Sequence, residues 1–198
     1  MGVLDKMVAA VTPEPSDEDR AEVRQKLRAQ SNGNDWVGLV LDHHLQIEDA
    51  FAAVRSATSD RARRAAQQQL ALVLTGHSLA EEVVLYPAMA LGDQKGHSTA
   101  AYTEQAAAKV QLAALDYLAA MSQDYLDKLE HLRAAVSHHM YEEEKEWFPE
   151  LSGDADTQQR AHLTERFAEE YRRYVGGDLE AGTSPRRTTA AVAQAAGA

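Results

Sequence analysis

The sequence predicts an all-α protein, an up-down four-helix bundle with additional helices at its N-terminal and C-terminal sides. Three observations carry this reading. Proline (5 residues) and glycine (11) are sparse and aromatics make up only 6% of a chain rich in alanine, leucine, glutamate, glutamine and arginine, which is the composition of helices rather than sheet. Apolar residues recur at three- and four-residue spacing in long runs, the period of a buried helical stripe. The runs also form two pairs: His44 to His77 and Gln105 to His139 span nearly the same length, and each pair ends in His-x-x-x-Glu. Four helices joined by short loops in this order fold back on one another as a bundle.

Taken in order, residues 3–11 place Leu4, Met7, Val8 and Val11 at helical spacing until Pro13 and Pro15 break the run. Ser16 is the cap of a polar helix through Ala29, with acidic residues early, basic ones late and a thin stripe of Val23 and Leu27. SNGND at 31–35 is a turn whose Asn34 or Asp35 caps the next helix, where Val37, Val40, His44, Ile47, Phe51 and Val54 form one seam. After SATSD at 56–60, Leu70, Val73 or Leu74, His77, Glu81 and Val84 form a second seam that runs up to Pro87. GDQKGHS at 92–98 reads as loop, with His97 solvated. The third helix spans Thr99 to Met121 with Gln105 as the polar residue of its seam. The fourth, after Ser122, aligns Leu129, Leu132, Val136, His139, Glu143 and Trp147, and Pro149 with SGDAD ends it. A last amphipathic helix uses Leu163, Phe167 and Tyr171. The expected organisation is a helical extension over 1–33, the bundle over 34–152, a helix packing on it over 153–176 and a flexible tail over 177–198.

A net charge of −11 with interspersed basic residues argues against nucleic acid and anionic membranes as partners. The N-terminal stretch, interrupted by Asp5 and Lys6, does not read as a signal peptide, and no run is long enough to span a bilayer, so a cytoplasmic location is expected. Without cysteine, any metal must be held by nitrogen and oxygen.

Residues four apart on a helix share a face, so His77 with Glu81 and His139 with Glu143 each present an imidazole and a carboxylate together. Carboxylates in an apolar seam are costly unless a cation or strong donors compensate them. Facing seams would bring His44, His77, Glu81, His139 and Glu143 to similar depth, a donor set suited to iron, manganese or zinc and compatible with two ions. The neighbouring Glu142, Glu144 and Glu146 read as a solvated face, with Glu142 as a candidate supporting residue, and His138 falls off the seam. Ferritin-like carboxylate proteins instead use Glu-x-x-His.

Asp42-His43-His44 with Ile47 and Phe51, HSLAEEVVLYP at 77–87 and HHMYEEEKEWFP at 138–149 resemble the hemerythrin-like proteins with the HHE cation-binding domain, over about residues 34 to 152. The resemblance implies a non-haem di-iron centre that binds O2 or related small ligands, with His44, His77, Glu81, His139 and Glu143 at the ligand positions and Glu81 and Glu143 bridging. The family's third-helix histidine is here Gln105, leaving an open position, a water, or a replacement ligand from Glu104 or Tyr102. The expected function is therefore binding or sensing of O2, NO or peroxide. The alternatives are a peroxide- or NO-consuming enzyme, with Tyr86 and Tyr102 supplying hydrogen bonds, and a metal-dependent interaction module whose protein partner the sequence does not identify.

Overall fold

The structure, a computed structural model, describes residues 15–181; the expected helix at 3–11 and the end of the expected tail lie outside them. Six helices account for most of the described chain: α1 (Asp17–Arg28), α2 (Trp36–Ser56), α3 (Asp60–Ala80), α4 (Lys95–Ala114), α5 (Gln123–Glu142) and α6 (Thr157–Ala181). No strand occurs among the described residues. α2 to α5 form an up-down bundle in which each helix packs on its sequence neighbour and α5 returns to α2. α6 lies across α2 and α3, and α1 packs against α2 and the turn over Glu143–Trp147 that follows α5.

Local chemistry sets the ends. Ser16 and Asp19 form a reciprocal capping box at α1, Asp35 accepts the Gly38 N–H at 3.1 Å at α2, and Ser59 and Ser122 cap α3 and α5. Asp35 also pairs with Arg160 at 2.8 Å, tying the start of the bundle to α6.

Pro87 and Pro149 lie inside their helices, which end just before the expected loop at 92–98 and within the SGDAD expected, with Pro149, to end the second. Each helix continues past the proline, to Leu91 and to Asp154, after a widened turn at Glu81–Leu85 or Glu143–Trp147. There the Tyr86 and Phe148 N–H groups donate five residues back, to the Glu81 and Glu143 carbonyls. A proline ring would clash with the carbonyl four residues earlier and has no N–H to offer; one extra residue in the turn relieves both problems. The Glu82 carbonyl, which residue 87 would otherwise satisfy, accepts instead from the Tyr102 hydroxyl at 2.6 Å. α4 also starts earlier than expected, at Lys95, so His97 is in its first turn and stacks on Trp147 with ring centroids 5.8 Å apart.

The core is divided. One apolar cluster gathers Trp36, Val40, Leu85, Met89, Phe148 and Phe167 around the α6 side. The other gathers Ile47, Phe51, Leu70, Leu115, Tyr125 and Leu132 toward the opposite end. Between them, at the depth of His44, His77 and His139, lies a layer of buried polar side chains.

Candidate metal centre

The polar layer contains four of the five expected donors in one group. His44, His77, Glu81 and Glu143 each offer an atom, and these atoms lie within 4.8 Å of one another, all buried. His77 Nε2 stands 3.2 Å from Glu81 Oε1 and His44 Nε2 stands 3.4 Å from Glu143 Oε2. None of these four atoms makes a hydrogen bond. Buried polar atoms without partners are costly and rare, so four that converge on one point fit a cation, and their nitrogen and oxygen chemistry suits iron, manganese or zinc.

His139 joins from the other side of the two carboxylates, with Nε2 3.3 Å from Glu143 Oε1. Gln105, buried on α4, donates from Nε2 to Glu81 Oε2 at 2.7 Å and to the Tyr86 hydroxyl at 2.5 Å. The remaining candidates stand elsewhere. Tyr102 is 39% exposed, with its hydroxyl committed to the Glu82 carbonyl. Glu104 lies behind His139, 2.8 Å from Nδ1, and does not enter the cluster. Tyr102 is thus held outside the group of donors, and Glu104 meets it only from behind, through the outward nitrogen of His139.

Three residues that matter at the site have lesser roles in the sequence reading. Glu144, expected on a solvated face, is buried, and its Oε1 accepts from His44 Nδ1 at 2.7 Å. Arg24 from α1 holds Glu144 from behind through Nε at 3.0 Å and reaches Glu48 through both terminal nitrogens. Glu144 and Glu104 thus serve two imidazoles alike: a carboxylate taking the Nδ1 proton fixes the tautomer whose Nε2 lone pair points into the centre. The third is Tyr86. Its hydroxyl is 2.8 Å from Glu143 Oε1, 3.1 Å from Glu81 Oε2 and 3.0 Å from His139 Nε2. The widened turn puts it there, because five residues in an α-helix would turn Tyr86 away from the Glu81 face. The signals in the sequence are the helix-interior prolines and the tyrosine just before one of them; for Arg24 there is no signal.

The electrostatics are those of carboxylates and imidazoles buried against one another. Burial pushes the Glu81 carboxyl well up, with Glu143 beside it adding repulsion. Burial acts the same way on Glu143, but His139 and His44 overcome it and hold that carboxylate below its ordinary range. Burial alone would lower His44, yet the Glu143 and Glu144 carboxylates drive its pKa up to about 9. His77 is pushed well down by burial and by the neighbouring His44 and His43. Burial and mutual charge thus push the two carboxylates, and the imidazoles, in opposite directions.

Fold and site together define a helical bundle with a buried cluster of histidine and glutamate side chains that could hold a metal. The model of the hemerythrin HHE cation-binding domain matches residues 37–151, and the chain belongs to this family. No curated protein and no solved structure matches the chain.

Proposed function

We propose that the protein is a hemerythrin-like iron protein that binds or senses O2, NO or peroxide at a centre held by His44, His77, Glu81, His139 and Glu143. The observation that carries this is the set of four sealed, partnerless donor atoms within 4.8 Å. Each bridging candidate presents one oxygen to the His44–His77 side and the other to the His139 side, which supports two ions. Iron, when bound, supplies the redox-active binding of small oxygen or nitrogen ligands; manganese or zinc fits the donors but is a weaker choice on family grounds.

This chain's own residues do the rest. Glu144 and Glu104 orient the two imidazoles, the apolar layers above and below exclude bulk water, and the Tyr86 hydroxyl and Gln105 amide offer donors inside the site. A cavity of about 20 Å³ lined by His77, Gln105, His139, Leu74 and Val136 adjoins the donors, space for a guest of water size. That size favours a diatomic or peroxide ligand over any larger substrate. The unit we assign to this function is the bundle over 34–152, with α6 as its cover.

The test is metal analysis of the full chain after anaerobic loading with Fe(II), joined to optical spectra before and after O2. About two irons per chain and a reversible spectral change on O2 support binding; consumption of peroxide or NO over many turnovers moves the reading to catalysis. Protein that retains no iron removes it.

A further inference from the structure

We propose that the Tyr86 phenol oxygen is itself a metal ligand, occupying the place beside Gln105 that a third-helix imidazole would fill. This rests on the metal centre proposed for the five donors. Donors bound to one iron- or zinc-like cation at roughly 2.0–2.2 Å stand about 3 Å apart in an octahedral shell and about 3.4 Å apart in a tetrahedral one. Tyr86 Oη lies 2.8 Å from Glu143 Oε1, 3.0 Å from His139 Nε2 and 3.1 Å from Glu81 Oε2, and His139 Nε2 lies 3.3 Å from Glu143 Oε1. Each of these four distances is that of neighbouring donors in one coordination shell. A cation held by the imidazole and the two carboxylates has the phenol oxygen as its neighbour.

The internal repeat points the same way. Aligning the two His-x-x-x-Glu segments pairs Tyr86 with Phe148, and aligning the helices before them pairs His44 with Gln105. The side of the centre that lost an imidazole is met by the aromatic that carries a hydroxyl; its counterpart in the other copy carries none. Phe148 packs edge-on against Trp36 in an apolar cluster, whereas the equivalent tyrosine directs its oxygen into the polar layer. Gln105 then acts as the group that positions the oxygen, donating to it from Nε2 at 2.5 Å. On ligation the phenol O–H bond is exchanged for an oxygen–metal bond and the proton leaves to solvent, as for other protonated ligands.

The experiment loads the full chain with Fe(II) anaerobically, oxidises it with air and records the visible spectrum and resonance Raman scattering beside iron content and far-UV circular dichroism. A phenolate-to-ferric charge-transfer band with tyrosinate vibrations is expected in wild type and in Tyr102→Phe. It is expected to vanish in Tyr86→Phe, a change that keeps the ring and therefore the packing, while iron on the His44 and His77 side remains. Iron-loaded wild type without the band, or Tyr86→Phe that retains it, overturns the Tyr86 assignment and leaves the metal centre standing. Wild type that takes up no iron overturns both.

Discussion

Replacing Glu144 is expected to weaken metal binding while the bundle stays folded. The side chain is buried, accepts from His44 Nδ1 at 2.7 Å and is paired with Arg24, so it anchors the outward nitrogen of that imidazole. Glu144→Gln preserves shape and a neutral acceptor, and a charged hydrogen bond is roughly twice as strong as a neutral one. The loss expected is about 10-fold in affinity, or about 1.4 kcal/mol. Glu144→Ala removes the acceptor altogether and leaves Arg24 with Glu48 alone, which moves the loss toward about 100-fold, about 2.7 kcal/mol. The assay is competition for Fe(II) or Zn(II) against a chromophoric chelator, with circular dichroism to confirm native helix content and Glu142→Ala as an adjacent control expected to change nothing. Affinity of folded Glu144→Ala within about twofold of wild type, well under the usual loss for such partners, would refute the reasoning, because His44 would then be oriented without its carboxylate.

Three other perturbations test the packing of the bundle. His43 is buried against Tyr171 and Phe167, and burial, followed by the His44 charge, lowers its pKa from 6.5 to about 4. Its contribution is fully present above pH 6.5 and is lost as pH falls through about 4, on the order of 3 kcal/mol; urea titrations across that range should give a shallower loss for His43→Phe than for wild type. Gly76→Ala would place a Cβ 2.6 Å from Val175 Cγ2 on α6, so despite the better helix propensity of alanine the variant should lose about 1–2 kcal/mol and expose α6 to limited proteolysis. Arg63, 5% exposed, donates to the carbonyls of Val54, Ala57 and Ala120 where α2 ends and α5 approaches; Arg63→Met should cost about 3 kcal/mol in thermal or chemical unfolding through the buried carbonyls it leaves unpaired.

The helices and the donors are legible in the sequence because both depend on near-neighbour periodicity. His44, Ile47, Phe51 and Val54 repeat at a helix period, and so do His77 with Glu81 and His139 with Glu143, so a regular helix suffices to collect them on inward faces. The errors cluster where the period changes. The seams give no sign of the widened turns before Pro87 and Pro149, where one extra residue lets each helix pass the proline and rotates the facing of the side chains beyond it. Glu144, inside the widened turn, is buried beside the inward-facing Glu143 and turned to the back of His44. Tyr86 reaches the centre by the same shift. Arg24 is out of reach for a different reason: its contacts with Glu144 and Glu48 are decided by how α1 lies on the bundle, and no spacing within α1 encodes that.

The burial of the donor layer has a kinetic side. Apolar clusters close it above and below, and His44, Glu81 and Glu143 expose essentially no surface. Glu104, behind His139 on the α4–α5 side, is 42% exposed, and the small cavity beside the donors reaches it. For the proposed metal centre, exchange of an ion through that side would require local opening, which has its own free energy, separate from the affinity of the donors. Stripping by a chelator should accordingly reach a rate that no longer rises with chelator concentration. Once filled, the centre is protected by the timescale of helix separation as much as by the strength of its bonds.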